Sequence, residues 1–401
     1  MSDLKAVSLA TIPMSAEYAV FTQTEHKNRL ARARDKLAAG GFEICVSVAP
    51  ETHYYLAGYD AWVGVNSPQA LVFSTAGVDE PTLIVRNVDT RLAAETTWLP
   101  DVRNYQLFTD DFSELVAGIV REKGWTGGRI AMELQSYALN AALYSELASV
   151  LKPAEIFDAT RLLGDLRIIK SETEMRYVRE AAGYANLGLD AAREALRVGV
   201  TEIEVAAAVE GAMREAGSDY WAIPTEISSG TRTPGGHATP RHRIIESGDI
   251  VHFEFAGVSH RYHATAVHTM ACGAPNSRAA ELYEIARVSL AAGVSQCHAG
   301  AWVADIEEAS LEPIRAAGLE AYANMRFGYG IGLAYPPVWL ETLQISRGFE
   351  DRLAPGMVFV LHAYLQLDHE NIGIIQGGTW ALTTDGLEQL VGGGDLPLEI
   401  V

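Results

Sequence analysis

The alternation of apolar and polar positions divides the chain into two halves of different rhythm. Residues 25–40, EHKNRLARARDKLAAG, place Leu30, Ala33 and Leu37 at helical spacing and stop at Gly40-Gly41. FEICVSVAP, ALVFS and PTLIVRN then read as strands, DDFSELVAGIVREKG as an amphipathic helix, RIAMEL as a strand and NAALYSELASVL as another helix. Strand and helix alternate, which is the pattern of a small α/β domain.

Beyond about residue 165 the rhythm changes. A long helical run follows IKSETEM, opened by a capping box of Ser171 and Glu174, and Thr201 with Glu204 opens a second helix in the same way. AIPTEISSG, DIVHFEFAGV and YHATAVHTMACG are strand-like, a helix pair occupies 278–317, and MVFVLHAYLQL and NIGIIQGGTWALT are further strands. This predicts two domains: an α/β domain over 1–165 and an α+β domain over 166–401. In the second, helices are expected on one side of an antiparallel sheet.

Bulk properties narrow the function. A chain of 401 residues exceeds one ordinary domain core, in line with two domains. The formal net charge of −20 repels a phosphate backbone, so no nucleic-acid partner is expected. No apolar run approaches the roughly 20 residues of a membrane helix, and MSDLKAVSLATIPMSAEYAVF lacks the sustained apolar stretch of a signal peptide. Cys45, Cys272 and Cys297 form neither a disulfide framework nor a thiolate metal motif, which fits a reducing cytoplasm.

The chemistry concentrates in residues 252–270, HFEFAGVSHRYHATAVHTM. Strand alternation puts His252 and Glu254 on one face and Phe253 and Phe255 on the other. A carboxylate there is either a buried acid satisfied by backbone donors or a nucleophile or base. His263 and His268 invite a zinc reading, but they lack a helical i, i+4 pair or an accompanying thiolate. His237 sits in a Gly/Pro-rich loop, where an imidazole can take and return a proton near neutral pH. Gly328, Gly330 and Gly332 precede Tyr-Pro-Pro rather than a helix, so a dinucleotide site is not supported and no cofactor is expected.

Five segments in order, IKSETEMRYVREAA, GVTEIEVAAAVEGAM, ISSGTRTPGGHATPRHRIIESGDIVHFEFAGV, YGIGLAYPP and APGMVFVLHA, resemble the creatinase/aminopeptidase family of pita-bread, M24-type proteins. The resemblance implies an α+β pita-bread domain behind a smaller α/β creatinase-type N-terminal domain. The family's metallopeptidases bind two metal ions through Asp, Asp, His, Glu and Glu. Carried over, these positions fall on Glu254, Thr265, Tyr329, His362 and Gln376. Hard divalent cations need several charged oxygens, and this frame keeps one acid, so no metal is expected. The family's active-site histidine falls on His237, twelve residues before Asp249.

Three further segments look like the metal-free branch that contains creatinase and ectoine hydrolase: FEFAGVSHRYH, RFGYGIGLAYPPVWLETLQIS and YYLAGYDAW. The resemblance implies a metal-independent hydrolase of a C–N bond in a small nitrogenous compound. His237 and Glu254 would be catalytic. Tyr329, His362, His263, Thr265, Gln376 and Glu341 would bind substrate, joined by Tyr59 and Trp62 from the N-terminal domain. It also implies a homodimer in which that domain contributes to the partner's site. With a single acid, such a site looks poorly suited to a strongly cationic substrate. Two alternatives stand beside this reading: a non-catalytic pita-bread binding module, and a Xaa-Pro dipeptidase-like metallopeptidase.

Overall fold

The computed structural model describes residues 18, 20–77, 79–125, 128–392 and 396–401; the stretch read for a signal peptide lies almost wholly outside them. The chain forms two compact units, Met1–Arg167 and Ile168–Val401.

In the first unit α1 (Gln23–Ala39) leads to β1 (Ile44–Ser47), α2 (Pro50–Ala57), β2 (Ala70–Ser74) and β3 (Thr82–Arg86). There follow α3 (Thr90–Thr96), β4 (Val102–Tyr105), α4 (Phe112–Glu122), β5 (Arg129–Met132), α5 (Ala141–Val150), β6 (Glu155–Asp158) and α6 (Thr160–Gly164). The six strands make one mixed sheet in the order β4-β3-β2-β1-β5-β6. Its strands are short and apolar because they are covered, with Leu115, Val116, Ile119, Leu143 and Leu147 of α4 and α5 packing on Ile44, Val46, Val72 and Ile130.

The second unit begins with α7 (Glu172–Ala195) and α8 (Glu202–Glu215), each opened by the capping box read from the sequence. Then come β7 (Glu226–Ser229), β8 (Asp249–Ser259), β9 (Tyr262–Cys272), α9 (Ser277–Val294) and α10 (Val303–Ala316). The chain closes with β10 (Gly328–Ile331), β11 (Leu340–Ile345), β12 (Val358–Leu367), β13 (Ile372–Thr383), β14 (Gly386–Gly392) and β15 (Glu399–Ile400).

The expectation of one sheet with helices on one side is corrected here. There are two sheets, ordered β11-β10-β12-β13-β14 and β15-β9-β8-β7, and each has its own helix pair. Val251, Phe253 and Phe255 of β8 pack with Ala264, Ala266 and Met270 of β9 against α7 and α8. Phe359, Leu361 and Leu365 of β12 pack with Ile374 and Trp380 of β13 against α9 and α10. Because strand side chains alternate, the residues between these positions point away from the helices, so the opposite faces of the two sheets are free to turn toward each other.

Two threonines join those faces. Thr379 of β13 accepts from the Thr265 amide at 2.8 Å and donates to the Thr265 carbonyl at 2.9 Å. Thr269 of β9 donates to the Ile375 carbonyl at 2.6 Å and accepts from its amide at 3.2 Å.

Helix α7 lies close on β8 because Gly257 has no side chain: a Cβ there would fall 2.1 Å from the Ala181 carbonyl oxygen and 2.6 Å from the Ala185 nitrogen. Backbone atoms of a long helix do not yield easily, so Gly257→Ala is expected to cost about 3 kcal/mol or more. Thermal denaturation should show a midpoint lower by roughly 6–12 °C. A midpoint within about 2 °C of the parent would mean that the helix can lift without penalty.

Candidate active site

Glu254 is carried by the middle of β8, with 5% of its surface exposed. Its Oε1 accepts a hydrogen bond from the Tyr329 hydroxyl at 3.1 Å, and Trp339 Nε1 donates to that hydroxyl at 3.1 Å. The chain Trp339–Tyr329–Glu254 fixes both rotamers. Burial and the neighbouring carboxyl push the Tyr329 phenol well above its ordinary range, so it remains a donor. Glu254 Oε2 is buried without a partner.

The principal site residue that the sequence reading missed is Glu226. β7 pairs antiparallel with β8, placing Glu226 directly opposite Glu254 and Ser228 opposite His252, all on the face turned from the helices. Glu226 is also 5% exposed, and its Oε2 is buried without a partner. The frame of metal positions holds one acid, but the site holds two. Burial, and for Glu226 the charge of Glu254, push both carboxyls above the ordinary carboxylate range. The signal in AIPTEISSG was an acid in a strand-like run; its partner depended on a register that only the fold supplies.

Two imidazoles join them. His252 on β8 and His362 on β12 are almost completely buried, and neither ring nitrogen of either is bonded. Desolvation lowers them to about 3 and about 4 respectively, so both rings are neutral. The His362 ring lies 5.9 Å from that of Tyr329. The Thr265 hydroxyl on β9 is likewise buried and unbonded.

His237 is exposed on the loop after β7, near enough for its charge to act on His252 and His362. The loop is pinned from both sides. Tyr364 donates to the Pro234 carbonyl at 2.7 Å, and the Gly373 amide to Thr233 Oγ1 at 2.9 Å. Glu202, fully buried at the start of α8, accepts from the Ser229 and Arg241 amides at 2.8 and 2.9 Å and from Arg232.

Several expected substrate contacts are corrected. Gln376 alternates onto the helix-facing side of β13 with Ile374 and Trp380, and the residue opposite His362 is Gly377, which offers no side chain. Glu341 is held by Lys170 at 2.5 Å with both side chains buried. His263 has both ring nitrogens engaged: Nε2 accepts from the Ala222 amide at 3.1 Å, and Nδ1 faces the Arg261 carbonyl at 2.9 Å. Desolvation lowers it to about 4, so it is a neutral stitch between segments. His268, five residues on, faces the other way and approaches Glu399 at 3.8 Å. In the first unit Tyr59 is buried with its hydroxyl bonded by Gln69 at 3.0 Å, whereas Trp62 is 54% exposed.

Metal fits this face poorly. The face carries the carboxyls of Glu226 and Glu254, both pushed toward their protonated forms by burial, the neutral imidazoles of His252 and His362, the Thr265 hydroxyl, the protonated Tyr329 phenol and a bare glycine. Among the described residues no three His, Cys, Asp or Glu groups are arranged to hold a metal ion. Hard divalent cations require more anionic oxygen than this set supplies.

The sequence pattern described as Metallopeptidase family M24 matches residues 176–384, and the Creatinase/Prolidase N-terminal domain matches residues 29–169. The chain belongs to family M24. This M24 chain is 29% identical over 404 residues to ectoine hydrolase of Halomonas elongata, covering 95% of this chain and 98% of that one. It is 27% identical over 364 residues to a Xaa-Pro dipeptidase of Pyrococcus furiosus, covering 91% and 97%. A Xaa-Pro dipeptidase structure from Bacillus anthracis superposes with a TM-score of 0.82 at 22% identity, covering 94% of this chain and all of that one. The pita-bread fold and a hydrolase family are thereby established.

The raised carboxyls have a consequence for stability. A folded-state value above the unfolded one means the fold favours the protonated acid. That contribution is complete below the ordinary carboxylate value and is lost as pH rises toward the folded one. Glu226→Gln has no proton to lose. It should be more stable than the parent at pH 8, by about 1–3 kcal/mol, with the gap closing near about pH 4. Chemical denaturation at the two pH values checks this; an equal difference at both would show that Glu226 ionises freely.

Proposed function

We propose that this M24 chain is a metal-independent hydrolase that opens a C–N bond of a small nitrogenous compound. The observation that carries the reading is the retention of Glu254, held by Tyr329 and Trp339, on a face whose remaining metal-frame positions supply only a hydroxyl, a phenol, an imidazole and a bare glycine. The likeness to ectoine hydrolase supports a non-peptide C–N bond. In this reading Glu254 attacks the carbon or activates the attacking water, and His237 on its pinned loop shuttles the proton. Tyr329 and the neutral His362 donate hydrogen bonds to the oxygen on which charge develops. The working form is a cytoplasmic homodimer, in which exposed Trp62 is the N-terminal residue available to a neighbouring subunit.

The test is turnover of ectoine and of Xaa-Pro dipeptides by purified protein, with metal content measured in parallel. Turnover of ectoine, or of a related small C–N compound, is expected to be indifferent to EDTA, with no stoichiometric Mn, Co, Zn or Fe bound. Dipeptide cleavage that EDTA abolishes and one metal restores would establish the metallopeptidase instead. Absence of any turnover would favour a binding module. His237→Ala and Glu254→Gln should each lower kcat by about 10²–10⁴-fold. The double variant should be little worse than the poorer single one, because the two act in one step.

A further inference from the structure

Two side chains at the site have no choice in the direction of their hydrogen bonds. An indole N–H can only donate, and a phenol carries a single proton. Trp339 Nε1 donates to the Tyr329 hydroxyl at 3.1 Å, and that hydroxyl donates to Glu254 Oε1 at 3.1 Å. The chain therefore runs from indole to phenol to carboxyl, and it cannot run the other way.

The surroundings of Trp339 keep its N–H for this use. It stands just before β11, 1% exposed, with its ring 6.3 Å from that of His263. The His263 nitrogens are engaged, Nε2 by the Ala222 amide and Nδ1 at the carbonyls of Arg261 and Gly332, so they do not compete for the indole proton. Tyr329 has a second acceptor close by. The His362 ring lies 5.9 Å from its own, with both nitrogens buried and unbonded. The bond from Trp339 orients the Tyr329 oxygen so that its proton goes to Glu254 instead.

The consequence falls on the two oxygens of Glu254. Oε1 is bonded, while Oε2 is buried without a partner and keeps its lone pairs unused. Burial raises this carboxyl, and the Tyr329 bond acts against that rise because it favours the charged form. The indole bond in turn draws the phenol toward ionisation, which makes it a better donor.

We propose that Trp339 is a positioning residue of the site: through Tyr329 it holds Glu254 by Oε1 and leaves Oε2 as the oxygen that acts on the reacting compound. The inference deepens the hydrolase reading and rests on it only for the role of Oε2. The hold on Oε1 follows from the two hydrogen bonds.

The hold can be measured without turnover. Trp339→Phe removes the donor. Replacing Trp339 by benzothienylalanine, which has sulfur in place of the N–H, removes it while keeping the bicyclic shape. Ionisation of Glu254 is followed by infrared titration of the full-length protein, as the protonated carboxyl band that Glu254→Gln abolishes. A Glu226→Gln background leaves one carboxyl of the pair to titrate. Both replacements of Trp339 are expected to raise the midpoint by roughly half a pH unit, and Tyr329→Phe by about one. Trp339→Phe combined with Tyr329→Phe should raise it no further than Tyr329→Phe alone. In the Glu226 protein, with a C–N compound that the parent hydrolyses, each Trp339 replacement should lower kcat by about tenfold, with KM changed by less than about twofold. The acidic limb of the kcat/KM profile should move up with the midpoint. An unmoved midpoint in the folded sulfur-substituted protein, or a further rise in the double variant, would overturn the hold. A raised midpoint with unchanged kcat would overturn the role given to Oε2. A raised midpoint in a protein that hydrolyses no C–N compound would support the hold and count against the hydrolase reading alone.

Discussion

The site depends on the joining of two sheets by side chains rather than by a shared ladder. Thr379 and Thr269 each offer one hydroxyl as donor and acceptor to the backbone of the facing strand, so β9 and β13 are held together through four hydrogen bonds. Each bond is worth about 1 kcal/mol net. Their larger effect is geometric. They tie the face that carries Glu254 and Thr265 to the face that carries His362.

The outer faces supply the energy that makes this arrangement affordable. Each sheet is covered by a helix pair, through Phe253 and Phe255 on one side and Phe359, Leu361 and Trp380 on the other. At roughly 25 cal/mol per Å² these apolar layers outweigh the desolvation of a few polar groups between them. The inner face can therefore hold unbonded imidazoles and raised carboxyls, a local departure from full satisfaction of the kind that marks functional surfaces. Gly257 belongs to the same design, because it lets α7 approach β8 closely on the side that faces away from the chemistry.

Much was legible in the chain itself. Capping boxes at Ser171 and Thr201, the helical spacing of Leu30, Ala33 and Leu37, and the alternation that separates His252 and Glu254 from Phe253 and Phe255 all stand in the structure as read. The misreadings share a cause. Gln376 was placed one residue from the position that faces His362, and in a strand one residue exchanges faces. Glu341 and His263 have the right residue types for binding, but Lys170 and the Ala222 amide, distant in sequence, already occupy them.

The sequence by itself determined the elements, the face on which each residue of a strand lies, and the presence of one acid at the centre of β8. These follow from covalent geometry, whose periods of about 3.6 and 2.0 are local. Only the tertiary structure decided that Glu226 stands opposite Glu254, that Thr379 and Thr269 join the sheets, and which buried acids find a cation. Strand register and charge neutralisation are settled between segments far apart in the chain, by packing and pairing that no local period encodes.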